Sequence, residues 1–202
     1  GGYHALPPKD QLYNLRSEMV MHLAAMGVEV KYHHHEVGGP GQCEIEMSLS
    51  PLVRSADNIM LAKYVIRMAA YRLGKTAIFL PKPLYNEAGS GPHFHQTLRR
   101  DGQPVFYDPA GYAGLSGSAL HYIAGLLTHG PALLALTNPS TNSYRRLIPG
   151  FEAPISLFFS LGNRSAAIRV PKYATTPEAK RFEFRTPDAT CNPYLAMAAV
   201  IA

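Results

Sequence analysis

The sequence predicts an α+β fold with a mainly antiparallel sheet and flanking helices. Three observations carry that expectation. Short runs of alternating apolar and polar residues are joined by hairpin-type links, without strict strand–helix–strand alternation. Two long segments place apolar residues at helical spacing. Glycine, proline and asparagine punctuate the chain between these runs.

Taken in order, residues 10–26 read as an amphipathic helix with Leu12, Leu15, Met19, Leu23 and Met26 on one face. Asp10 is placed to cap its start and Gly27 to end it. Residues 28–35 and 43–49 read as strands, and in the second Cys43, Ile45, Met47 and Leu49 alternate with Glu44, Glu46 and Ser48. Gly38-Gly39-Pro40-Gly41 links them as a turn. Residues 51–73 read as a long helix ended by Gly74, and 76–80 as a short strand stopped by Pro81-Lys82-Pro83. Gly89-Ser90-Gly91 is a flexible loop leading to His93-Phe94-His95. Ser116 caps a helix expected to run to residue 136, and residues 138–154 read as a loop. Strands are expected over 155–161, 165–170 and 181–186, and Asn192 or Pro193 opens a last helix.

The 202 residues suffice for one domain with a substantial core, and 47% hydrophobic against 16% charged residues is a globular balance. No run of 18 apolar residues predicts a membrane span, and no secretory leader pattern is present. Cys43 and Cys191 are too few for a disulfide scaffold, which favours a reduced, cytoplasmic setting. The net charge of +5 is spread along the chain, without the dense basic patch and interleaved aromatics of a nucleic-acid binder. The chain opens Gly1-Gly2-Tyr3 without a methionine and stops at Ala202 inside an apolar run. It is therefore expected to be the middle of something longer.

Several residues could carry chemistry. Glu36 and Glu44 lie equally far from Pro40, so pairing about that apex would set two carboxylates face to face. Like charges there call for a hard divalent cation such as Mg²⁺ or Mn²⁺; in another register both are solvated acids. His34 shares a strand face with Glu36, opposite to His33 and His35. His93 and His95 also share a face, after glycines that let backbone approach a ligand; hydrogen-bonded structural histidines are the alternative. In Arg181-Phe182-Glu183-Phe184-Arg185 the charged residues occupy one face and the phenylalanines the core face. That stripe is either an ion-pair ladder or a carboxylate for a metal flanked by guanidiniums for anions. Arg146, Arg164 and Arg169 add cationic groups, and Glu152 stands on the constrained loop Pro149-Gly150-Phe151-Glu152-Ala153-Pro154. A loop acid beside arginines fits proton removal, cation capture or a plain salt bridge.

In order along nearly the whole chain, "HHHEVGGPGQCEIE", "PKPLYNEAGSGPHFH", "NPSTNSYRRLIPGFEAP", "NRSAAIRVP" and "KRFEFRTPDATCNPYLAMAA" resemble glutamine synthetase of the bacterial type. The resemblance implies a curved, mainly antiparallel sheet and ATP-dependent ligation of ammonia to glutamate through γ-glutamyl phosphate. It implies that Glu36 and Glu44 hold one Mg²⁺ or Mn²⁺ ion, and His93 and Glu183 another. Gly89, Arg146, Glu152, Arg164 and Arg185 would line the glutamate and ammonium side. Arg164 and Arg169 would face the phosphates, and His34, His95, Thr97 and Arg181 would lie nearer the ATP. Catalysis would fall to Glu152, Arg164 and Arg169. Ala88, Pro92, Lys31 and Glu178 depart from residues common in the family. The resemblance also implies a homo-oligomer, a double-ring dodecamer with sites shared between subunits. Residues 1–202 would be a partial catalytic domain lacking the N-terminal domain, an upstream Glu-x-Glu metal strand and the C-terminal part, so the isolated piece is expected to be inactive. The alternatives are a ligase joining glutamate to a polyamine or other amine, a non-catalytic structural or regulatory relative, and guanidino-kinase-like phosphotransfer.

Overall fold

A computed structural model describes residues 2–202. The chain divides into two compact units, one formed by the chain up to Phe79 with Pro83–Gly89, the other by Leu80–Lys82 and Ser90–Ala202.

In the first unit, helices α1 (Tyr13–Ala25) and α2 (Leu52–Arg72) pack together beside a hairpin of β1 (Val30–His35) and β2 (Cys43–Met47). The helical spacing places Leu15, Met19 and Leu23 of α1 inside, where they meet Ala62, Val65, Ala69 and Ala70 of α2. Ile45 of β2 packs against both of these clusters. Gly27 follows α1 at φ +77, the left-handed conformation that glycine adopts without penalty. Asp10 does not cap α1: the N-cap is Leu12, without a side-chain cap bond. Asp10 is instead buried against Arg16, one turn into the helix. Arg16 Nη1 donates to Asp10 Oδ1 at 3.0 Å, and Arg16 Nη2 pairs with Oδ2. The expected strand over 76–80 makes no ladder with any strand among the described residues.

The second unit is built on a four-stranded sheet in the order β3 (Phe94–Gln96), β8 (Phe182–Phe184), β7 (Ala166–Val170), β6 (Ser156–Leu161). Two of its three pairings, β3 with β8 and β8 with β7, are antiparallel, while β6 joins β7 in parallel. A small hairpin, β4 (Arg99–Arg100) with β5 (Gln103–Pro104), turns at Asp101-Gly102. The helix expected from residue 116 to 136 is two helices, α3 (Gly117–Thr128) and α4 (Gly130–Thr137), bent by 74° at His129. Pro131 falls in the first turn of α4, where its missing N–H costs nothing but where α3 cannot continue. Ser116 Oγ caps α3 by accepting from Ala119 N at 3.2 Å. Inside the expected 138–154 loop lies a short helix, α5 (Thr141–Arg146), started by a reciprocal Ser140–Ser143 capping box. The last helix, α6 (Pro193–Ile201), is capped by Asn192, which accepts from Tyr194 N and Leu195 N. Phe182 is fully buried, its ring 5.6 Å from that of Phe106. The arrangement is α+β, as the sequence predicts, and no single helix among the described residues is long and apolar enough to cross a membrane.

Candidate active site

Two groups of charged residues stand out, one in each unit. The first is on the β1–β2 hairpin. The ladder pairs His34 with Glu44 and His35 with Cys43, and Glu36 N donates to Gln42 O at 2.9 Å. The apex is therefore Gly39 rather than Pro40, and Glu44 faces His34 instead of Glu36. Because side chains alternate along a strand, Glu36 still shares the face, as the diagonal neighbour. His34 Nε2 lies 3.8 Å from Glu44 Oε1 and 4.0 Å from Glu36 Oε1. One ligand atom from each of the three residues fits within a 4.8 Å spread, the only such group of three among the described residues. His34 Nδ1 lies 3.0 Å from its neighbour's carbonyl, His35 O. A carbonyl only accepts, so Nδ1 donates there and Nε2 is the nitrogen that faces the carboxylates. The His4 ring stacks on His34 at 4.1 Å, holding its orientation. Two carboxylates and an imidazole suit a divalent cation that accepts oxygen ligands, so the residues fit the metal expected there.

The second group centres on Glu183, in the middle strand of the sheet and fully buried. Glu183 Oε1 accepts from Arg185 Nη1 at 2.7 Å and lies 2.7 Å from His93 Nδ1, while Oε2 pairs with Arg169 Nε. Burial pushes the Glu183 carboxyl up, but the His93 hydrogen bond and the charges of Arg185 and Arg169 outweigh it and hold the acid ionised. Burial pushes the His93 imidazole down to about 4, against the pull of Glu183. Carboxylate and imidazole thus stand side by side, the right types to share a cation, with two guanidiniums on the same carboxylate.

Arginine geometry extends from this centre. Arg185 Nε donates to Arg164 O at 3.1 Å and its Nη2 to Glu152 O at 3.1 Å. Arg164 Nη1 in turn lies 2.8 Å from Glu152 Oε2. Glu152 itself sits at φ +56, a conformation that non-glycine residues adopt at a cost. Arg146 is buried and clamps the backbone after β8, donating to Arg185 O, Thr186 O and Pro187 O at 2.9–3.0 Å. Burial, then the charge of Arg185, pushes its pKa down to about 10. Gly91 packs on that guanidinium so closely that a Cβ there would lie 2.1 Å from Arg146 Cζ. Asn138 braces the same backbone, its Nδ2 donating to Thr186 O at 2.7 Å.

Just before β8, Arg181 Nε donates to His95 Nδ1 at 3.3 Å, and its guanidinium lies over the Tyr173 ring. Thr97 Oγ1 is buried without a hydrogen-bond partner, leaving a donor and an acceptor for a ligand. In the first unit, Gly89 offers its carbonyl to Gln42 Nε2 at 2.7 Å.

Of the residues singled out from sequence, His34, Glu36 and Glu44 come together in one unit. His93, Glu183, Arg169, Arg185, Arg164 and Glu152 come together in the other, with Arg146 behind them. His95, Thr97 and Arg181 lie at β3 and the start of β8. Sequence reading missed the Asp10–Arg16 pair; its signal was an arginine inside the apolar face Leu12, Leu15, Met19. It also gave no part to Lys82, whose ammonium lies 3.6 Å from the Phe151 ring centre.

Within each unit, carboxylates stand beside an imidazole, a set of types suited to cations, and in the second unit guanidiniums suited to anionic groups stand with them. The family model described as "Glutamine synthetase, catalytic domain" matches residues 1–202, and the chain belongs to that family. It is 56% identical over 201 residues to a glutamine synthetase of Frankia alni, covering 100% of this chain and 42% of that one. It is 53% identical over 200 residues to one of Nostoc sp., again covering 42% of it. The chain thus spans about two fifths of the length of these curated relatives. A cryo-EM structure of Plasmodium falciparum glutamine synthetase superposes with a TM-score of 0.94 at 35% identity, over 100% of this chain and 39% of that one.

Proposed function

We propose that this chain contributes to an enzyme that ligates ammonia to the γ-carboxylate of L-glutamate, with ATP converted to ADP and phosphate and γ-glutamyl phosphate as the intermediate. The observation that carries the reading is the convergence of His34, Glu36 and Glu44 in a chain that matches the family over its whole length. Glutamate's carboxylate is a poor electrophile, and phosphorylation makes it an acyl donor. Phosphoryl transfer needs positioning and charge neutralisation more than covalent help.

The residues divide that work. Glu36 and Glu44, with His34 beside them, would hold one Mg²⁺ or Mn²⁺ ion, and His93 with Glu183 would contribute to a second. Bound cations supply charge neutralisation at the transferring phosphoryl group. Arg164 and Arg169 stabilise negative charge on that group, and His34, His95, Thr97 and Arg181 lie on the ATP side. Gly89, Arg146 and Arg185 shape the glutamate side. Glu152 binds ammonium, takes its proton and screens the intermediate from water. The names of the relatives favour ammonia as acceptor over a larger amine. The family context supports a cytoplasmic homo-oligomer, for which we take the double-ring dodecamer.

The test is made on the product of the complete gene. Glu36→Gln and Glu44→Gln should each weaken Mn²⁺ binding at least tenfold by calorimetry, about 1.4 kcal/mol, and lower glutamine synthesis. Unchanged Mn²⁺ affinity in both variants removes the assignment, and a preference for larger amines over ammonia in the parent removes the acceptor.

A further inference from the structure

Glu152 projects from a loop that needs external support. Its φ of +56 is unfavourable, and its side-chain ion pair with Arg164 is exposed on both sides, 40% and 54%, where water screens it. The residue before it, Phe151, is gripped differently. The Lys82 ammonium lies 3.6 Å from the centre of the Phe151 ring, and Lys82 is only 8% exposed. Cation–π attraction is strongest where the cation is withdrawn from water.

Lys82 is also fixed at its backbone. Lys82 N donates to Asn142 Oδ1 at 2.7 Å, and Asn142 Nδ2 donates back to Lys82 O at 3.0 Å. Asn142 stands in α5, whose start is locked by the Ser140–Ser143 capping box. On the far side of the loop tip, Ala153 and Pro154 are buried. Lys82 is therefore a rigid post beneath a tip that is otherwise held by Arg185 on the Glu152 carbonyl and by the exposed Arg164 pair.

We propose that Lys82 is a positioning residue for Glu152: its ammonium holds the Phe151 ring and so keeps the 150–154 loop where the Glu152 carboxylate meets ammonium and water is kept out. The proposal rests on the role given to Glu152 above. In the productive step, the ammonia nitrogen attacks the γ-carbonyl carbon of γ-glutamyl phosphate. The bond from that carbon to the phosphate oxygen breaks, phosphate leaves with the electron pair, and the surplus proton on nitrogen passes to Glu152. When water attacks instead, the same bond breaks and glutamate and phosphate form, so ATP is hydrolysed without glutamine. A displaced loop favours the second course.

The experiment compares Lys82→Met, Lys82→Arg, Phe151→Leu and Glu152→Gln in the product of the complete gene, reading phosphate released against glutamine formed across ammonium concentrations. Lys82→Met and Phe151→Leu should raise the phosphate-to-glutamine ratio severalfold and raise KM for ammonium more than they lower kcat. Lys82→Arg, which keeps a cation over the ring, should restore both. The double variant Lys82→Met/Phe151→Leu should be no worse than either single one. If Lys82→Met does not fold, Phe151→Leu reads the same contact from the other side. A ratio that stays at the parental value in a folded Lys82→Met or Phe151→Leu enzyme overturns the proposal, as does Lys82→Arg behaving like Lys82→Met. Should Glu152→Gln leave ratio and ammonium KM unchanged, the Glu152 role itself fails; a changed Glu152→Gln beside unchanged Lys82 and Phe151 variants overturns only the part given to Lys82.

Discussion

Replacing Asp10 by asparagine should open α1 about a hundredfold more often. Arg16 is 2% exposed and Asp10 3%, so the pair is shielded from water on both sides. Removing one partner of a buried ion pair costs about 3–5 kcal/mol, because the other charge is left uncompensated. An amide oxygen in place of the carboxylate would still accept from Leu12 N and from one guanidinium N–H. Arg16 also keeps its bonds to His33 Nδ1 at 3.2 Å and Cys43 Sγ at 3.4 Å. The lower end, about 3 kcal/mol, is therefore expected, which is about a hundredfold in an equilibrium constant. Hydrogen exchange of the α1 amides reads this local opening directly. The double variant Asp10→Leu/Arg16→Met should recover most of the loss, since an apolar pair carries no desolvated charge. The pair also predicts a pH dependence. The hydrogen bond from Arg16 outweighs burial and holds Asp10 below its ordinary value of 3.8. The unfolded state then binds the proton first, so the contribution is full above pH 3.8 and is lost as pH falls through the folded value. Asp10→Asn should lack that acid sensitivity. Exchange rates within about threefold of the parent, or a double variant as damaged as the single one, would refute the reasoning.

Three further outcomes are expected. Arg164→Ala should lower kcat by roughly 10²–10³-fold, the usual loss when one donor to developing transition-state charge is removed; steady-state assay of the complete gene product checks it. Gly91→Ala should displace the Arg146 guanidinium, since the new Cβ would overlap it, and should be seen as a lowered melting temperature together with a raised KM for glutamate. Asn192→Ala removes the acceptor for Tyr194 N and Leu195 N and should cost about 1 kcal/mol, measured as faster exchange of the first-turn amides of α6.

Much of the scaffold could be read from local chemistry. Ser116 caps the helix it was expected to cap, Asn192, one of the two residues expected to open the last helix, caps it, and the alternation around Glu44 and around Glu183 marks real strands. What failed depended on information that is not local. The hairpin apex moved by one residue because two glycines beside Pro40 permit more than one turn, and only the ladder decides between them. Residues 76–80 have strand-like composition, but a strand is defined by its pairing, and they pair with none among the described residues. The break at His129 falls beside Gly130-Pro131, where a proline fits the first turn of a new helix but not the interior of a continuing one. For the candidate site, residue types and faces were legible, and family likeness supplied the grouping. The Arg181, Glu183 and Arg185 stripe, read as one face of a strand, is buried along with the phenylalanine face. The Lys82–Phe151 contact joins residues 69 positions apart and had no sequence signal.

The central place of Glu183 ties two properties together. Its carboxylate neutralises Arg185 and Arg169 inside the sheet, so the same oxygens that would ligate a cation also balance the charge of two neighbouring strands. A chain that lost this acid would face a repulsive knot of guanidiniums where its sheet must close. Glutamine at this position would leave two buried guanidiniums without their counter-charge, so the sheet itself should be harmed whatever becomes of a bound cation.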